Sequence, residues 1–121
     1  MKIVRVSDRE AQGNEAVTGK GHLDRILKRG DGGTIGMAMV YFEDGARTHW
    51  HVHPGEQILY ISEGQARVGN DNGDVVTAEI GDTIQIPAGE RHWHGATIGH
   101  SMTHISITNV GAPDWQGPVE D

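Results

Sequence analysis

The sequence predicts an all-β fold, a sandwich or barrel of jelly-roll type, on three observations. Apolar and β-branched residues alternate with polar ones through about ten short segments, the period of a half-buried strand. Turn chemistry separates those segments at short intervals, supplied in large part by 18 glycines in 121 residues. No stretch repeats its apolar residues at the helical period of about 3.6, so a layered packing of strands is the arrangement left. By length the chain makes one domain, residues 1–121, with a barrel core over about 19–110 and an irregular, acidic tail at 111–121.

Residues 2–6 read as a short edge strand and 23–28 as a second. Residues 34–42 are apolar on both faces, as suits a strand inside a closed sheet. Ala38, Val40 and Phe42 share one face; Met37, Met39 and Tyr41 share the other. Glu43-Asp44-Gly45 turns the chain into 48–53, and Pro54-Gly55 turns it again into 57–62 and 65–69. Asn72-Gly73 between two strand patterns is a hairpin signal leading into 75–80. Gly81-Asp82 opens 83–86, Pro87-Ala88-Gly89 opens 92–96, and 101–109 is the last strand. In the tail, with Pro113 and Pro118, Trp115 is expected to pin the chain to the barrel wall.

A formal charge of −7 argues against nucleic acid as a partner, because that binding rests on clustered Lys and Arg. Arg25, Lys28 and Arg29 form a short basic cluster that reads as solvated surface. With no cysteine there is no disulfide framework and no thiolate ligand, so a metal would have to be held by His, Gln or carboxylates. The first residues carry no signal-like apolar run, and no segment has the length of a membrane span, so a cytoplasmic location is expected.

Two stretches carry the chemistry. The first holds His51-Val52-His53-Pro54 and then Gln57; the second holds Pro87-Ala88-Gly89 and then His92-Trp93-His94. Histidines at i and i+2 of a strand face one way, with Trp50 and Val52 facing the other. In a barrel one of those faces is the interior. His92 meets the pair there from the second stretch, and converging imidazoles are the commonest way to hold a transition metal. Gln57 follows the Pro-Gly turn and either closes the ligand set or supports it from behind. Three imidazoles and an amide oxygen are all neutral, so the ion would keep its full charge. That favours Lewis-acid chemistry over oxygen redox chemistry.

These residues resemble the two-part signature of the cupins, small β-barrels of two antiparallel sheets that hold one metal inside. Gly45, His51, His53 and Gly64 fit the first part, with Gln57 where Glu is expected. Gly81, Pro87, Gly89 and His92 fit the second, with Ala96 where Asn is expected. A narrower likeness, from about Gly19 to Trp115, is to a subgroup of single-domain bacterial cupins. It includes the manganese-dependent hydroxynitrile lyases and carboxymuconolactone-decarboxylase-associated cupins. The resemblance implies His51, His53, Gln57 and His92 as ligands of one divalent metal, manganese first, with iron, zinc, nickel or cobalt as alternatives. It also implies that His94 and His104 line the active cavity with catalytic roles. Their other reading is as buried, hydrogen-bonded histidines behind the ligands.

Thr48 is placed near the active site by the same resemblance, whereas strand parity turns His49 inward instead; the two agree only if the strand twists or bulges there. His22 and His100 follow glycines and read as exposed. The resemblance implies Ala38, Val40 and Phe42, rather than Met37, Met39 and Tyr41, as the cavity wall, with Thr108 on the parity of His104 as a further candidate. The resulting expectation is a metal-dependent enzyme acting on a small carbonyl or hydroxy compound. Its sharpest form is hydroxynitrile-lyase-like cleavage of a cyanohydrin to an aldehyde and cyanide. An iron dioxygenase and a non-catalytic small-ligand binder are the alternatives. A homodimer or homotetramer is expected, with no nucleic-acid or membrane partner.

Overall fold

The segment Gly36–Phe42 shows how alternation becomes structure. Ala38, Val40 and Phe42 are buried, while Met37, Met39 and Tyr41 stay half-buried on the outer face. In the computed structural model, which describes all 121 residues, the strands are β1 (Glu10–Gly13), β2 (Val17–Thr18), β3 (Gly21–Leu27), β4 (Gly36–Phe42), β5 (Arg47–Thr48), β6 (His51–Val52), β7 (Gln57–Asn70), β8 (Val75–Glu79), β9 (Thr83–Ile86), β10 (His92–Ala96), β11 (Met102–Thr108) and β12 (Asp114–Trp115). All pairings are antiparallel. One sheet runs β1-β3-β4-β11-β7-β9. The other runs β8-β7-β10, with β5 and β6 side by side on β10, β2 on β5 and β12 on β6.

β7 belongs to both sheets. Its first half pairs with β9 and β11, its second with β8 and β10. The chain changes sheet at Gly64, whose φ is 75°; a Cβ there would lie 1.8 Å from the Ser101 carbonyl oxygen. Only glycine satisfies both conditions.

Apolar packing fills part of the interior. Ala38, Phe42, Ile61, Ala66, Ala96 and Met102 belong to one cluster, and Leu59, Val68 and Ile86 form another. Histidines occupy much of the rest: His51, His92, His94 and His104 are between 0% and 4% exposed. No helix is long and apolar enough to cross a membrane.

Several expected elements differ. Residues 2–6 make no strand, because no neighbouring backbone pairs with them. They lead into a 3-10 turn at Val6–Asp8, closed by Arg5 N–H donating to the Asp8 carboxylate. The first strand is instead Glu10–Gly13, on the edge beside β3. The expected strand 48–53 is interrupted at His49 and Trp50. Their N–H groups donate to the carbonyls of Ala16 and Gly117, so the N-terminal segment and the tail bind them in place of the ladder. Segments 57–62 and 65–69 are one continuous strand. The tail is ordered by pairing rather than irregular throughout: Asp114 and Trp115 pair with Val52 and His51.

Candidate metal centre

His51 opens β6, His53 follows it by two residues, and His92 opens β10 directly opposite His51 in the ladder. One ligand nitrogen from each of the three lies within 4.8 Å of the others, and all three residues are buried. Local backbone fixes which nitrogen points inward. His51 Nδ1–H donates to the His49 carbonyl at 2.9 Å, and His92 Nδ1–H donates to the Glu90 carbonyl at 2.8 Å. In both rings the bond runs back two residues and leaves Nε2 as the lone-pair nitrogen.

Gln57 completes the group. Its amide nitrogen donates to Ser106 Oγ at 3.0 Å, which aims Oε1 at His92 Nε2, 2.9 Å away. With the His92 proton on Nδ1, these two atoms are both acceptors and repel each other unless a cation sits between them. Neighbouring ligands about 2.1 Å from an octahedral ion stand about 3.0 Å apart, which this spacing matches. His53 points the same way, since both its ring nitrogens are buried with no protein partner. The four residues therefore fit a divalent transition metal.

Burial, followed by the nearby His92, holds His51 down to about 3 and His53 down to about 4. Burial also lowers His92, against the opposing pull of the Glu90 carbonyl. All three are neutral at physiological pH, the form that binds metal.

Behind the ligands lies a second pair of rings. His104 Nε2 and His94 Nδ1 share a proton at 3.1 Å, and Phe42 packs against both imidazoles. Burial lowers His104 to about 4; burial, then His104, keeps His94 well below the ordinary histidine value. Thr48 faces inward because the chain breaks at His49, and its hydroxyl accepts the His94 backbone N–H at 3.1 Å.

A cavity of about 110 Å³ opens beside these groups. Ala38, Val40, Thr48, Thr108 and His94 line it, together with His51, His53 and Gln57. Two candidates lie elsewhere. Phe42 sits in the apolar core behind the histidine pair, and His104 is sealed at 0% exposure and meets the cavity through His94. His49 is half-buried at an adjoining open groove with Ala16 and Trp115, while His22 and His100 are exposed.

Sequence reasoning missed seven wall residues: Asn14, Leu23, Arg25, Arg29, Ser106, Pro113 and Trp115. Ser106 shares strand parity with His104, and Arg25 shares it with Leu23, so parity alone carried a signal for those two. Trp115 gave none. Its ring lies 4.3 Å from that of His51, placed there by the β12–β6 pairing.

Residues 38–107 match the cupin domain family. The chain is a cupin. Over its full length this cupin is 35% identical to (R)-mandelonitrile lyase of Granulicella tundricola, covering 96% of that protein. Its fold is similar to the crystal structure of a cupin-like protein from Thermotoga maritima. There the identity is 31%, the coverage 97% of this chain and 92% of that one, and the TM-score 0.87. The polyketide cyclase RemF of Streptomyces resistomycificus shares the fold at 20% identity, covering 100% of this chain and 87% of its own, with a TM-score of 0.77.

Proposed function

We propose that this cupin is a metal-dependent lyase that splits a cyanohydrin into a carbonyl compound and hydrogen cyanide. The observation that carries the reading is the His94–His104 pair set against a cavity walled by His51, His53 and Gln57. Full-length similarity to a mandelonitrile lyase supports the choice of substrate class. A metal held by His51, His53, Gln57 and His92, manganese on this reading, supplies Lewis acidity undiminished by any anionic ligand.

The protein's own groups handle the proton. His94 Nδ1 is engaged with His104, so Nε2 is its nitrogen free of protein partners. With Nδ1–H donated to His104 Nε2, the Nε2 lone pair takes the proton of the cyanohydrin hydroxyl. The oxygen electron pair then forms the C=O bond, and the C–CN bond breaks with its pair on cyanide. His94 returns the proton to cyanide, giving hydrogen cyanide and restoring the ring. The Thr48 oxygen already accepts from the His94 backbone, which leaves its own O–H to orient the substrate oxygen. On this reading His104 is a positioning residue: sealed from the cavity, it holds His94 as a base when its Nε2 accepts the His94 Nδ1–H.

Metal content and mandelonitrile cleavage, measured before chelation and after reloading with manganese, iron or zinc, test this reading. His104→Ala is expected to keep its metal and lose about 100-fold in kcat. Full activity in that variant, or no cleavage by the manganese-loaded protein, refutes it.

A further inference from the structure

We infer that the natural occupant of the cavity is a small hydroxy or oxo acid whose carboxylate is held on the outer wall by Arg25 and Arg29. Arg25 and Arg29 both line the same cavity as His51 and His53. Arg25 pairs with Ala38 across β3 and β4, and Leu23 pairs with Val40, so Arg25 occupies an inward position of its strand. Arg29 reaches in from beyond β3 and donates through Nη1 to Thr108 Oγ1 at 2.6 Å.

Gly36 makes room for that reach. A Cβ at this position would stand 2.6 Å from Arg29 Nη1 and 2.9 Å from Thr108 Oγ1. Gly36 is absent from the residues of positive φ, so its glycine serves space rather than backbone conformation.

The charge arrangement asks for an anion. No Asp or Glu lines the cavity, and neither arginine is in an ion pair. Glu10, opposite Arg25 in the β1–β3 ladder, is engaged by Lys28 at 3.6 Å. In a chain of net charge −7, two neighbouring cations are left without carboxylate partners beside a metal site with four neutral ligands. Burial and then repulsion from Arg29 make Arg25 easier to deprotonate, and Glu10 across the ladder offsets this only in part. A carboxylate matches the planar guanidinium fork and fits a cavity of about 110 Å³. The inference rests on the lyase reading only for which end of the molecule reacts.

Calorimetric binding of 4-hydroxybutyrate and of its neutral amide, 4-hydroxybutanamide, decides the matter. Titration into metal-free protein removes direct coordination by the carboxylate. The acid is expected to bind at least about tenfold tighter than the amide, and added salt should narrow the gap. Arg25→Gln and Arg29→Gln should each erase most of that preference, and Gly36→Ala should weaken it by displacing the Arg29 side chain. Equal binding of acid and amide, or a preference that survives in the Arg25→Gln/Arg29→Gln double variant, overturns the inference. Inorganic phosphate binding as tightly as the acid overturns the carboxylate assignment. Wild-type cleavage of neutral mandelonitrile with no acid preference would leave the lyase reading standing alone. An arginine-dependent acid preference without cleavage would do the reverse.

Discussion

Lowering the pH of the metal-free protein from 7.5 to 5 should unfold it far more readily than carboxylate titration can explain. The cause is the set of imidazoles built into the interior. His51 is held at about 3, and His53 and His104 at about 4, against 6.5 for an ordinary histidine. The folded values lie below the unfolded ones. The stabilisation is therefore complete above about pH 6.5 and drains away as pH falls toward the folded values, because only the unfolded chain takes up the protons. By pH 5 each ring has given up about 2 kcal/mol, at about 1.4 kcal/mol per unit of pH below its unfolded value. Three rings together lose about 6 kcal/mol, a large share of the 5–15 kcal/mol typical of a domain. His92 and His94 are shifted the same way and add to the effect.

For a chain of this size the loss corresponds to a fall in Tm of about 20 °C. Thermal or urea unfolding of chelator-treated protein at pH 7.5, 6.5, 5.5 and 5 measures it directly. A stability that changes by less than about 1 kcal/mol across that window refutes the reasoning, because the histidines would then be titrating as if they were solvated.

Other perturbations have equally definite expectations. His53→Ala should weaken metal affinity at least about 100-fold, read by competition with a chelator. It should change metal-free stability by no more than about 1 kcal/mol, because both ring nitrogens of His53 lack partners and truncation orphans nothing. Gln57→Glu should tighten metal binding at least about tenfold and slow mandelonitrile cleavage, since the new carboxylate offsets part of the ion's charge. Gly95→Ala should destabilise the fold by about 3 kcal/mol in urea unfolding. Its Cβ would stand 2.3 Å from the Ala46 carbonyl oxygen and 2.4 Å from Arg47 Cα, forcing β5 away from β10.

Much of the centre was legible because strand parity is a strict rule. His51 with His53, and Ala38 with Val40, could be assigned a common face from spacing alone, and β9 and β10 fall on the residues expected. Errors arose where pairing, not side-chain pattern, makes the element. The Glu10–Gly13 strand, Glu-Ala-Gln-Gly, has no alternation to read and forms because β3 offers it an edge. Residues 2–6 alternate well but meet no partner. The interruption at His49 and Trp50 depends on two distant carbonyls, at Ala16 and Gly117, that local sequence cannot place. Phe42 had the right face but the wrong depth, since parity gives direction and not position along a barrel axis. Arg25 and Arg29 look like solvated surface in the sequence because their charge masks the inward parity that Arg25 shares with Leu23.

The shared strand β7 has a kinetic consequence. It joins both sheets and lies between the first two histidine ligands and the third, so the centre assembles only when β10 and β11 have closed onto it. His51, His53 and Gln57 are close in sequence, while His92 arrives after the hairpin of β7 and β8 and the return through β9. Such long-range closure is slow compared with local structure. A metal bound by these four residues would therefore be captured late, onto a barrel already closed, rather than act as the nucleus around which the chain folds. Refolding rates should be indifferent to manganese, and unfolding rates should fall steeply in its presence.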